Sequence, residues 1–211
     1  MGIRHTSLNH GWFYHYRIHM PKAEKLCNNG FSSLKIFMEK MMTTCPDHYF
    51  QSGPRSSALR FDIETKKVRI DGHEMCRLAE MGLRNGRYKT AHSNVEVYML
   101  ENDMKTVGVE LPIWLLPHEL EFYRAFFGCE EPLTGHIDIL RIEDDNIWIW
   151  DYKPNAEKEK HASCQLLFYA LMLSKRTNIP LERFRCGYFD ENSAFLFKPE
   201  IECLKAQAVI R

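Results

Sequence analysis

The residue types best suited to chemistry gather late in the chain. Asp138 stands inside Gly135-His-Ile-Asp-Ile-Leu140, Asp151 and Lys153 frame Asp-Tyr-Lys, and Gln165 and Tyr169 follow, four residues apart. If Asp151 and Lys153 belong to one strand, their side chains share a face and stand ~7 Å apart, at ~3.3 Å per residue. With Asp138 on the partner strand of a hairpin and turned the same way, two carboxylates and one ammonium meet at one point. Carboxylates that close repel each other unless a cation lies between them, and hard oxygen ligands suit Mg²⁺ or Mn²⁺. The ammonium is then within reach of a water or phosphate held by that cation.

The elements needed to position these groups are legible around them. Residues 132–143 alternate apolar and polar as a strand does, Asp144-Asp145-Asn146 is a short polar turn, and residues 147–153 resume as a second strand. Residues 161–176 have a helix-forming composition, with Lys175 and Arg176 at the carboxyl end where cations suit the dipole. Gln165 and Tyr169 share one face of that helix. Gly-x-x-Asp, Asp-x-Lys and Gln-x-x-x-Tyr, in that order on strand, strand and helix, resemble the PD-(D/E)XK nuclease superfamily. Within it the likeness is to RecB-type exonucleases, the clade that includes the CRISPR-associated adaptation nucleases. It runs over about residues 86–199.

That resemblance implies an α/β, restriction-endonuclease-like core, a central mixed β-sheet flanked by helices. It implies a metal-dependent DNA nuclease that hydrolyses phosphodiester bonds, an exonuclease acting on DNA ends or single strands in repair, recombination or replication rather than a sequence-reading restriction enzyme. Mg²⁺ or Mn²⁺ is the implied cofactor and DNA the implied partner. Asp138 and Asp151 would hold the metal with His92 and the backbone carbonyl of Tyr152. Lys153 would orient the attacking water and offset developing charge, while Gln165 and Tyr169 would engage phosphate or a base. The residues themselves leave two readings of His92: an imidazole aimed at the metal, or a helix residue hydrogen-bonded to Glu96 one turn on. Glu110 loosely matches a Glu that relatives carry on the preceding strand, where it would serve a second metal or a water. Its other reading is the solvent-facing residue of an edge strand. A reading from a different class is a catalytically weak or inactive nucleic-acid-binding module built on the nuclease fold, against which both Asp and Lys are retained. His136, Asp144 and Asp145 are assigned no role.

The 211-residue chain is 45% hydrophobic and 27% charged, an ordinary globular composition with no net charge. Neutrality hides an asymmetry. Residues 1–60 carry eight Lys and Arg against three Asp and Glu, with five of the ten His, so the remainder is acidic. A basic surplus attracts phosphate backbones, or is simply a solvated face. Residues 1–58 are read as a basic, His- and aromatic-rich extension packed on or beside a nuclease core of residues 59–211, with the loop at 44–58 as boundary or mobile segment. Trp12, Phe13, Tyr14 and Tyr16 in that extension can stack on bases or pack as a strand on the core. Seven scattered Cys, odd in number, read as reduced thiols, without the clustered Cys that carry an iron–sulfur cluster in some RecB-type relatives. No apolar run approaches the ~18 residues of a membrane span, and no signal-peptide core follows Met1, so a cytoplasmic setting (nuclear where there is a nucleus) is expected.

The remaining periodicities predict a helix over 30–42 capped by Ser32 or Ser33, a hairpin from 59–63 and 67–70, and a helix over 72–102 broken or capped at Gly82 and at Asn85-Gly86. They also predict a strand over 107–116 that Pro112 places at an edge or bulge, a helical insertion at 117–128, a hairpin from 184–190 and 194–197, and a terminal helix over 199–211.

Overall fold

The structure, a computed structural model, describes residues 2–204. The two alternating segments around the acidic residues become β5 (Leu133–Glu143) and β6 (Asn146–Tyr152), paired antiparallel from Glu143↔Asn146 to Ile139↔Trp150. Asp144 and Asp145 turn the chain with φ of 48° and 55°, a conformation that Asp tolerates better than most residues. The next strand, β7 (Phe184–Phe189), lies parallel to β6, with Asp151 opposite Tyr188. Parallel neighbours need a crossover, and here it is the helix α6 (Ala162–Thr177). This topology lays Gln165 and Tyr169 across the sheet beside the Asp-x-Lys strand that precedes them.

On the other side of β5 lies β4 (Thr106–Leu115), in register at Val109↔Ile139 and Leu111↔Ile137. The hairpin of β1 (Ile3–Asn9) and β2 (Phe13–His19) joins β4 through Arg17↔Val109 and Ile18↔Gly108. At the far edge, β8 (Ser193–Phe197) pairs with β7 and then with β3 (Val68–Asp71). The result is one mixed eight-stranded sheet, ordered β1-β2-β4-β5-β6-β7-β8-β3. Helices α1 (Met20–Leu26) and α2 (Ser32–Met41) join α6 in one apolar layer with Leu111, Leu140, Ile149 and Leu166. Helices α3 (Glu74–Asn85) and α4 (Ala91–Asn102) cover a second layer with Val109, Ile139 and Trp150. This is the α/β, restriction-endonuclease-like arrangement the resemblance implies.

Packing corrects several local expectations. Gly82 does not break α3. A Cβ there would lie 2.9 Å from Asn94 O and Val95 Cα, so α3 and α4 approach backbone to backbone, and the helix ends only at Gly86 (φ 58°). Residues 59–63 form no strand, because β3 pairs instead with the free edge of β8. Pro112 lies on a strand with neighbours on both sides, but on a stretch of it that is locally an edge, in line with the expectation. The β2 pairing stops at Val109, so the missing N–H falls where β2 offers no ladder partner. The loop at 44–58 is not a loose boundary: Phe50 and Ser56 are buried, Arg55 donates to the Phe50 carbonyl at 2.6 Å, and Ser56 Oγ donates to Thr134 O at 3.0 Å. Residue Phe31, with no side-chain cap bond, precedes α2 in place of a Ser cap. Residues 117–128 split into a 3₁₀ turn, Pro117–Glu119, and α5 (Tyr123–Phe127). Of the predicted terminal helix, residues 202–204 are helical and 205–211 lie outside the described residues. No helix among the described residues is long and apolar enough to cross a membrane.

Candidate active site

One step beyond Ile139↔Trp150 in the β5–β6 ladder, Asp138 meets Asp151, and the two carboxyls act on one another. Asp151 is buried between Trp150 and Tyr152, which by strand parity point to the α3–α4 layer while Asp151 points to α6. Lys153, two residues on, returns to the same side with Nζ 2.8 Å from Asp151 Oδ2. Its Nζ also donates to Gln165 Oε1 at 3.2 Å, and Gln165 Nε2 donates to the Tyr169 hydroxyl at 2.9 Å. Strand parity and the i, i+4 spacing on α6 thus build one chain: Asp151, Lys153, Gln165, Tyr169. The glycine of Gly-x-x-Asp has a steric cause. A Cβ on Gly135 would sit 2.4 Å from Tyr169 Cε1, so only glycine lets the ring lie against β5.

Helix α4 brings His92 and Glu96 to the same cleft. The His92 ring stands edge-on to Tyr152, 5.2 Å between centroids, within hydrogen-bonding reach of the Tyr152 carbonyl. Of its two sequence readings, His92 therefore turns towards the acidic strands rather than pairing with Glu96. Glu96 is buried with Oε1 unpartnered. Glu110 projects from β4 at the one place where that strand adopts positive φ (57°), next to where the β2 pairing stops. It is no edge residue: together with Glu96, Asp138 and Asp151 it lines a cleft of ≈ 230 Å³.

Electrostatics follow from this crowding. Burial, then the Asp151 and Glu96 charges, raise the Asp138 carboxyl well above the usual range, so a second negative charge beside Asp151 is disfavoured unless a cation offsets it. Burial, then Glu110, raises Glu96 in the same way. Burial raises Glu110 to about 7, with Asp151 adding to the effect and Arg17 opposing it. Burial alone would pull the Lys153 ammonium down, but Asp151 and Asp138 outweigh it and hold it above its ordinary value, so the group stays charged. Burial lowers His92, leaving a neutral imidazole, the form that ligates metals. Burial raises Tyr169, keeping its hydroxyl a donor.

A model of the PD-(D/E)XK nuclease superfamily matches residues 55–208, which span the paired carboxylates, the lysine and the Gln–Tyr helix. The chain belongs to this superfamily. No curated protein and no solved structure matches it. Nucleases of the superfamily generally use divalent metal ions, and the donors of this PD-(D/E)XK protein fit one. Four carboxylates line the cleft with the cations Lys153 and Arg55, and Arg17 acts on Glu96 and Glu110 from beside it, a formal deficit of one positive charge. Neither oxygen of Asp151 has an aligned hydrogen-bond donor, although Lys153 lies close, and Glu96 Oε1 has none. The donors are gathered but not closed. Among the described residues, the only group of three or more His, Cys, Asp or Glu with ligand atoms all within 4.8 Å of one another is His10, Cys45 and Asp47. The reason is visible in the cleft: Lys153 occupies Asp151, His92 faces a carbonyl, and the carboxylates repel one another.

Two residues escaped the sequence reading. Glu96 was signalled by its spacing from His92 and by a likeness to the RecB-type pattern of a helix His followed by a Glu, but was given no role of its own. His136, given no role, lines the cleft with its ring stacked on Tyr14 at 3.6 Å. Its Nε2 lies 2.8 Å from His10 Nδ1, and His10 Nε2 lies 2.8 Å from Asp47 Oδ1. Nothing local announces a contact across 126 residues.

Proposed function

We propose that the protein is a metal-dependent deoxyribonuclease of the RecB type, hydrolysing phosphodiester bonds at DNA ends or in single strands during repair, recombination or replication. The observation that carries this reading is the buried carboxylate excess with unpartnered oxygens beside one captive ammonium. In this reading residues 59–211 are the nuclease core, and residues 1–58 are an extension that enlarges the sheet and walls the cleft. Asp138, Asp151, His92 and the Tyr152 carbonyl hold the cation, with Glu96 and Glu110 completing the acidic wall. Mg²⁺ or Mn²⁺ bound there would polarise a phosphoryl oxygen and acidify its water.

Lys153 keeps its proton, so it acts as a fixed positive charge facing the oxygens that become more negative in the transition state. Gln165 Oε1 sets the direction of its Nζ. The Tyr169 oxygen accepts from Gln165, which leaves its own hydrogen free to donate into the cleft, towards a phosphate oxygen. The test is a time course on end-labelled single- and double-stranded DNA with Mg²⁺, Mn²⁺ or chelator. Loss of label that needs the cation supports the reading. Binding without any cleavage would favour the nucleic-acid-binding module instead.

A further inference from the structure

Residues 1–54 lie outside the family match, yet the β1–β2 hairpin flanks the acidic cleft. At its tip Trp12 is 77% and Phe13 64% exposed, two large aromatic faces left in solvent where such groups normally bury. They are not held out by a loose loop. Gly11 turns with φ 80°, and His10 N donates to Trp12 O at 2.9 Å. The His10 ring is buried, stacked on Phe50 at 3.8 Å and bonded through both nitrogens to Asp47 and His136, while Arg55 donates to its carbonyl. The base of the tip is therefore locked, and the two rings are displayed by it.

Trp12 and Phe13 line a groove of ≈ 600 Å³ that also contains the cations Arg17 and Lys89 and the ring of Tyr88. That groove shares Tyr14, His92, Glu96 and Glu110 with the acidic cleft. On the opposite side, a groove of ≈ 340 Å³ shares Lys153 and Gln165 with the cleft and carries Arg60, Lys158 and Lys160. The path is thus continuous and asymmetric. An aromatic and basic arm leads to the acidic centre, and a basic arm leads away from it.

We propose that the aromatic arm is a subsite for single-stranded nucleic acid, in which Trp12 and Phe13 stack on unpaired bases while Arg17 and Lys89 meet the backbone. Stacking needs a free base face, so this arm takes unpaired strands and excludes intact duplex, and the basic arm holds phosphates of the same strand. Only the placement of the scissile phosphate between the arms rests on the nuclease reading. The stacking does not.

The test measures fluorescence anisotropy of labelled oligothymidine, oligouridine and a blunt duplex in Ca²⁺, for the parent and for Trp12→Ala/Phe13→Ala. Ile36→Ala serves as control, an exposed apolar residue on α2 that lines neither groove. The double variant should melt like the parent, because it removes only exposed rings. It should bind the single strands about tenfold or more weaker, with duplex binding close to the parent's and the control unchanged. The ratio of oligothymidine to oligouridine binding then says which sugar the arm prefers. A parent that does not bind single strands, a variant that binds them like the parent, or an equal loss for duplex overturns the subsite. So does a parent dimer that the double variant disperses, which would assign the rings to a second copy of the chain. If the variant loses single-strand binding while neither protein cleaves, the subsite stands and the nuclease reading falls. Cleavage with unaltered single-strand binding gives the reverse.

Discussion

Asp151 and Lys153 share an ion pair yet sit on opposite sides of the proposed chemistry, so their variants should separate. Asp151→Asn keeps the shape but removes the charge that attracts the cation, and both Mn²⁺ affinity and cleavage should fall together. Lys153→Ala frees Asp151 for the cation, so calorimetric Mn²⁺ binding should persist while the single-turnover rate drops by about 10²–10³-fold, as for other lost charge-stabilising donors. Tyr169→Phe removes the hydroxyl that accepts from Gln165 and faces the cleft, and should weaken DNA binding more than the rate at saturating substrate. Titration calorimetry beside cleavage rates for the three variants makes the comparison. A Lys153→Ala protein that cuts at nearly the parent rate would show the centre to be wrongly drawn.

At the scale of elements, the site depends on how closely α4 approaches α3. His92 and Glu96 reach the acidic strands because Gly82 lets the two helices pack backbone to backbone. Gly82→Val drives a branched side chain into that contact and should destabilise the protein by about 1–3 kcal/mol, read from the denaturant midpoint. Pushing α4 away should also weaken Mn²⁺ binding. Destabilisation with unchanged cation affinity would mean that α4 supplies no ligand. On the other flank, β4 leaves regular geometry at Glu110, and this single residue in a left-handed conformation turns a carboxylate towards the cleft where an ordinary strand would continue pairing with β2.

For the whole molecule, folding couples to protons and to cations. Burial lowers the His10 imidazole below its ordinary value near 6.5, although Asp47 pulls the other way. The folded state therefore binds less proton than the unfolded chain once the pH drops below about 6.5. The contribution of His10 is complete above that pH and declines below it, by up to ~1.4 kcal/mol per pH unit, until the folded His10 itself titrates, while Glu110, raised to about 7, contributes the opposite slope. In urea unfolding between roughly pH 7 and 5, His10→Gln should be less destabilised by acid than the parent; an identical pH dependence would remove His10 from the account. Mn²⁺, binding the folded site alone, should raise the melting temperature of the parent and leave that of Asp151→Asn unmoved. How much of this was legible in the sequence follows from the range of each signal. The chain by itself determined the β5–β6 hairpin, the α6 helix and the shared faces of Asp151 with Lys153 and of Gln165 with Tyr169. Those depend on periods of 2 and 3.6 residues, which are local. It did not determine that β3 would leave residues 59–63 for β8, or that Glu96 and Glu110 would close on Asp138. Nor did it show that His10 would reach His136. Burial, and the carboxyl and imidazole shifts that come with it, depend on which distant segments pack together, and only the tertiary structure decides that.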